Sequence, residues 1–289
     1  GSAVAFTSAA VVSVVATADY GNRLERAMQS VIPGGRLTLE SGVPISTTDQ
    51  TAKTNIYYTP FVHNVVPLWN GADWVPTTFT EVTQALGTIT SGRPYDVFGY
   101  LNGSALNTEI LAWTNDTTRA TAVTLQDGRY CKSGDKTRLL LGTFYTTSTT
   151  TTEDSAAKRF VGNLYYPSQR YMAKSAGASS HTYTSATYRS YNSDATQRIQ
   201  WVQPLAGGSC VVFASASMSQ TVQGRIGAAL NSTSAGDVLI VQPPTATLNV
   251  PVGGFLAPTA GYNYAQLIEY VDAGTGTYDY GGLLGSVWI

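Results

Sequence analysis

Two histidines, two cysteines and a thin set of carboxylates are the residues of this chain best suited to chemistry. A Ser-His-Asp nucleophile needs a histidine beside an activated hydroxyl. His63 falls in a strand-like run and His181 beside a stretch of small residues, and neither lies near a G-x-S-x-G elbow. Glycosidic hydrolysis needs only two carboxylates at a set separation. Asp73, Asp127, Asp135, Asp194, Asp237 and Asp272 sit beside turns, where turn chemistry accounts for them. Glu40, Glu81, Glu109 and Glu269 lie on or near strand-like runs, and two of them brought together would form a dyad. Cys131 and Cys210 are expected as buried thiols, with a bridge between them as the alternative. Without CxxC or HxxxH spacing no metal centre is expected. No phosphate loop or dinucleotide fingerprint appears either, so no cofactor is expected.

The larger chemical inventory is aromatic and cationic, with 18 tyrosines and 5 tryptophans. Tyr165, Tyr166, Arg170 and Tyr171 form one cluster; Tyr183, Tyr188, Arg189 and Tyr191 form a second. Aromatics with arginine are typical of interface centres. A ring also offers an apolar face to a pyranose, with a polar handle at its edge. Subunit packing, glycan or receptor contact, and plain internal core are the three roles open to each cluster.

The elements that must position these residues are strands. Residues 121–125 alternate polar and apolar, and the Asp127-Gly128 pair suits the positive φ of a two-residue hairpin turn. Residues 130–132, a turn at 133–135 and residues 138–145 complete a β-meander. Asn70-Gly71 between Trp69 and Trp74, and Asn102-Gly103 after 95–101, repeat the hairpin signal. Regular strands with glycine turns predict an all-β fold, an antiparallel β-sandwich of jelly-roll-like type. A short N-terminal helix is expected over residues 22–31: Asn22 caps, Glu25 stands three residues on, and Leu24, Ala27, Met28 and Val31 make one apolar stripe. It would lie against the sheet or form a symmetric neck between subunits. Residues 153–164 could make one or two helical turns. The threonine run 146–152 reads as an exposed loop or an extended edge, and small residues 173–180 read as a linker. The expected organisation is an anchor segment at 1–35, a β-sandwich-like region at 36–175, and a second β-rich region at 176–289 that could pack with the first as one unit.

Only 12% of residues are charged, about half the usual share, and Thr, Ser, Asn and Gly take their place. A neutral, hydroxyl-rich surface fits extracellular and virion proteins and subunits that bury surface against copies of themselves. A net charge of −1 favours neither nucleic acid nor a polybasic membrane contact. No run of about 18 apolar residues exists, so no membrane insertion is expected.

Several phrases together resemble a group of bacteriophage and prophage tail-fibre-like virion structural proteins. They are residues 33–39 (PGGRLTL), 54–60 (TNIYYTP), 94–98 (PYDVF), 111–119 (LAWTNDTTR), 125–128 (LQDG), 153–160 (EDSAAKRF) and the ending near Gly285-Ser286-Val287. The resemblance spans roughly residues 33–289. It implies a C-terminal β-rich module of a virion protein (fibre, spike or head decoration) at the particle surface, assembled as a homo-oligomer, most simply a trimer. Its other partners would be capsid or tail proteins and host surface polysaccharide. Leu24, Met28 and Val31 would then anchor the chain to the particle. The alternative from another class is a phage polysaccharide depolymerase using paired carboxylates.

Overall fold

The computed structural model describes residues 32–177, 180–220, 223–242, 247–249 and 251–289. The helix expected at residues 22–31, with the anchor residues Leu24, Met28 and Val31, lies outside the described residues. Within them the chain is all β and antiparallel, apart from a 3-10 turn at Tyr191–Ser193 and a parallel pairing of Lys158–Arg159 with Arg198–Gln203. Residues 153–164 make no helical turn. They form three short strands, Thr152–Asp154, Lys158–Arg159 and Val161–Asn163, because each finds a ladder partner, the first two in the sheet of Arg198–Gln203 and the third in the meander sheet, and none presents a helical stripe. The small-residue stretch is no linker in its first half: Ala173 to Gly177 continue the strand Gln169–Gly177, whose small side chains fit a crowded ladder with Gly276–Trp288.

The hairpin signals act as read. Gln126 pairs with Arg129 across Asp127 (φ 51) and Gly128 (φ 78), the positive dihedrals that a two-residue turn requires. Trp69 pairs with Trp74, and Asn70 Oδ1 accepts the backbone N–H groups of Ala72 and Asp73 to close the loop. In the third hairpin Asn102 pairs with Ala105, so the turn proper is Gly103-Ser104.

Two hydrophobic clusters result. The first, from Leu37 to Val161, lies among the sheet of Gly35–Thr38, Asn55–Pro60 and Val82–Ala85, the hairpin Val65–Trp69/Trp74–Thr78, and the meander sheet holding Pro94–Asn102 and Asp135–Tyr145. The second, from Met172 to Ile289, fills a sandwich. One layer contains Arg198–Gln203, Gly261–Val271 and Gly224–Leu230; the other contains Gln169–Gly177, Gly276–Trp288, Cys210–Gln220 and Val252–Leu256. Trp201, Ile199 and Leu267 of the first layer meet Met172, Val212, Leu283 and Val287 of the second, each at most 1% exposed. Burying such a side chain stabilises the fold by roughly 1.5–3 kcal/mol.

The halves are stitched by polar contacts as well as by packing. Arg119 grips Asp96 with two hydrogen bonds of 2.7 and 3.0 Å and donates to the Pro204 carbonyl at 2.6 Å. The Tyr145 and Tyr262 rings stack at 4.4 Å. Gly261 permits a close backbone approach between the halves: a Cβ there would fall 2.0 Å from the Asp116 carbonyl.

Candidate functional site

The first predicted cluster disperses into the interior. Arg170 is buried and donates to Asp154 Oδ2 at 3.0 Å and to the Ser46 carbonyl at 3.1 Å. Arg159 takes the other oxygen of Asp154 at 3.2 Å, and its remaining fork closes on the Tyr171 carbonyl. Arg36, 2% exposed, donates to the carbonyls of Tyr166, Pro44 and Ile289 and to Ser168 Oγ. Burial, with Arg170 adding repulsion and Asp154 opposing, pulls its pKa down to about 10. Burial likewise pushes the Tyr165 phenol well above its ordinary range. The Tyr166 ring meets Phe61 edge-on. Of the four predicted residues, Tyr171 alone turns a ring outward, at 56% exposed.

The second cluster gathers around a carboxylate. Glu269, 0% exposed, accepts from Arg189 Nε at 2.6 Å and from the Asn192 N–H at 3.2 Å, and its other oxygen meets His181 Nε2 at 2.5 Å. The His181 ring stacks on Tyr278 at 5.5 Å and stands edge-on to Tyr191. Arg189 lies over the Tyr183 ring at 3.8 Å. Tyr188 belongs to a separate trio, its ring 4.7 Å from Tyr270 and its hydroxyl 3.1 Å from Arg225 Nη1. A buried carboxylate flanked by histidine and arginine resembles catalytic furniture, yet both Glu269 oxygens are engaged and rings wall them off. The other glutamates hold separate partners: Glu81 has Ser41, Gly42 and Thr59; Glu109 has Lys132 and Arg138; Glu40 has Gln50. Among the described residues no group of three His, Cys, Asp or Glu is placed to hold a metal. Cys131 and Cys210 are buried free thiols.

The structure adds a feature that sequence reasoning missed. On the outer face of the Gly276–Trp288 sheet, register aligns Ala173, Leu284, Phe213 and Gly253 in one row. Tyr171, Ser286, Val211 and Phe255 make the next. Trp288 follows opposite Gln169, and Tyr280 stands at the bulge, unpaired between Asp279 and Gly281. These rows hold six large apolar side chains between 46% and 80% exposed: Tyr171, Phe213, Phe255, Tyr280, Leu284 and Trp288. At about 200 Å² per fully exposed ring they present on the order of 600 Å². That is the upper end of what single soluble chains expose. Gly253 fits beneath the Phe213 ring, where a Cβ would fall 2.2 Å from a ring carbon. Between Tyr280 and Leu284, Gly281, Gly282, Ser175 and Ser215 line a hollow of about 320 Å³. The sequence signal was present: residues 210–213 and 283–288 carry apolar side chains on both phases of the alternation, whereas a half-buried strand needs them on one.

No protein-family model matches the chain, and no curated protein matches it. Solved structures with some likeness include a Bacillus thuringiensis Cry1Da tryptic core variant (10% identity, 82% of this chain and 48% of that one, TM-score 0.23). An exo-beta-1,3-galactanase from Phanerochaete chrysosporium, in complex with beta-1,3-galactotriose, is another (10% identity, 88% and 56%, TM-score 0.22). The mosquito-larvicidal Cry4Aa toxin of Bacillus thuringiensis is a third (10% identity, 84% and 50%, TM-score 0.22). The chain spans about half the length of each, and likeness at this level assigns neither fold family nor activity.

Proposed function

We propose that this chain is a non-enzymatic structural protein of a bacteriophage particle, of fibre, spike or head-decoration type. It acts by displaying a self-associating β-sandwich at the particle surface for attachment to the host surface or to capsid neighbours. The observation that carries the reading is the outward apolar face of Tyr171, Phe213, Phe255, Tyr280, Leu284 and Trp288. Its area approaches the roughly 800 Å² that each partner of a stable complex contributes. The face offers both a knob, Phe255 at 80% exposed, and a hollow floored by Gly282, so a second copy supplies complementary relief. A net charge of −1 adds little repulsion between copies. In this assembly three copies turn these faces towards a common three-fold axis, the knob of each meeting the hollow of the next, and repeated weak surface contacts then multiply through avidity.

The test is the mass of the full chain in solution by analytical ultracentrifugation at micromolar concentration. A trimer is expected, dispersed to monomers by Phe255→Ser with Leu284→Asp while the circular dichroism of the fold persists. A native chain that is monomeric throughout overturns the assembly. Antibody labelling of purified particles checks the location: gold absent from every virion overturns the virion assignment.

A further inference from the structure

A recess of about 350 Å³ opens where the edge of the sandwich exposes both layers, lined by Ala157, Lys158, Lys174, Thr196, Arg198 and Gln200. Three cations converge there in a chain that has only 17 lysines and arginines over 289 residues. Lys158 is tied to Glu153 at 3.0 Å. Lys174 and Arg198, by contrast, have no carboxylate within 4 Å among the described residues, unlike Arg119, Arg159, Arg170, Arg189 and Arg225. Asp194 is near enough to feel the charge of Lys174. Hydrogen bonds from Thr196, with a smaller one from Gln197, hold its carboxyl below the usual range, and the charge of Lys174 adds to this only weakly. Its oxygens are taken by the Thr196 N–H at 2.7 Å and Gln197 Nε2 at 2.6 Å.

The remaining lining groups also present donors. Gln200 Oε1 accepts from the Tyr262 hydroxyl at 2.6 Å, which fixes the amide and leaves its NH₂ as the group available to a ligand. The Arg198 guanidinium lies over the Tyr264 ring at 4.8 Å, so its plane is pre-set. A recess rich in donors and poor in acceptors is built for an anion with several oxygens.

We propose that this recess binds the anionic group, carboxylate or sulfate, of an acidic surface polysaccharide, with Lys174 and Arg198 as its principal ligands and Gln200 and Thr196 on neighbouring hydroxyls. The inference deepens the surface-attachment reading and rests on it for biological meaning, but the site is complete within one chain. A phosphate backbone is the competing ligand, and the oligonucleotide arm of the titration below tests it.

The experiment is titration of the full chain with trigalacturonate, a sulfated galactotriose, neutral maltotriose and a single-stranded oligonucleotide, read by calorimetry. One or both anionic trisaccharides bind, maltotriose does not, and affinity falls as salt rises from about 50 to 500 mM. Lys174→Met and Arg198→Gln, which keep the apolar stems, each weaken binding about tenfold, the scale of one charge-assisted hydrogen bond. Glu153→Gln, which frees Lys158, strengthens it, a sign that a purely structural role would not produce. Failure of both anionic trisaccharides, equal binding of maltotriose, tighter binding of the oligonucleotide, or indifference to Lys174→Met and Arg198→Gln overturns the proposal. Repeating the titration on the Phe255→Ser, Leu284→Asp chain separates the two readings: sugar binding there is unchanged whether or not that face associates.

Discussion

At the scale of residues the protein buries several of its few charges, among them Asp154, Arg159, Arg170 and Glu269. Glu269 neutralises Arg189 and orients His181 within a cage of rings, and Asp154 does the same for Arg159 and Arg170. Removing one member of such a buried set leaves the others uncompensated. Glu269→Gln is therefore expected to lower stability by about 3 kcal/mol, measured by urea unfolding. Glu81 gives a pH signature. Burial alone would raise its pKa, but hydrogen bonds from Ser41, Thr59 and the Gly42 N–H outweigh burial and hold the carboxyl below its ordinary value. A carboxylate depressed in the folded state contributes stability above its unfolded pKa and loses it as pH falls through the folded one. Melting temperature should thus fall less steeply below about pH 4 in Glu81→Gln than in the native chain, against an unperturbed glutamate value of about 4.3. The thiols behave oppositely. Burial raises Cys131 to about 11 and Cys210 to about 12, so at neutral pH neither should react with a disulfide reagent until the chain unfolds, and then both should.

At the scale of elements, two glycines illustrate different constraints. Gly128 sits at φ 78 with open space around it, so alanine there strains the backbone alone and should cost about 1 kcal/mol. Gly142 has an ordinary backbone, but its Cβ would collide with the Gly162 carbonyl and a Leu37 methyl. Gly142→Ala must push Val161–Asn163 off the meander sheet, and chemical denaturation should register a loss of about 2 kcal/mol or more. The meander and its turns were legible because Asp127-Gly128 and the β-branched alternation are local signals. The strands at 152–163 were not, because their ladder partners lie at Gln50–Lys53, Arg198–Gln203 and Asp135–Tyr145, remote in sequence.

At the scale of the whole molecule the question is whether two hydrophobic clusters behave as one body. The Arg36 guanidinium, on a strand of the first cluster, closes on Ser168 and on the Ile289 carbonyl of the second. Arg119 ties the meander to Pro204, and Tyr262 donates its backbone N–H to the Asp116 carbonyl at 2.9 Å. These contacts couple the clusters, so calorimetry of the native chain should give one cooperative transition. Arg119→Ala, which leaves Asp96 buried without its partner, should split it into two.

The amino-acid sequence by itself determined the fold class, since period-two patterning and glycine turns act over a few residues and need no distant partner. It also marked Arg170, Arg189 and their tyrosines as residues with a task. Only the tertiary structure decided what that task is: Arg170 and Arg189 satisfy buried carboxylates supplied by Asp154 and Glu269, whose positions depend on long-range strand register. The outward face of Phe213, Phe255, Leu284 and Trp288 was decided the same way. Alternation says that a side chain points to one face or the other, and only the stacking of the two layers settles which face is covered.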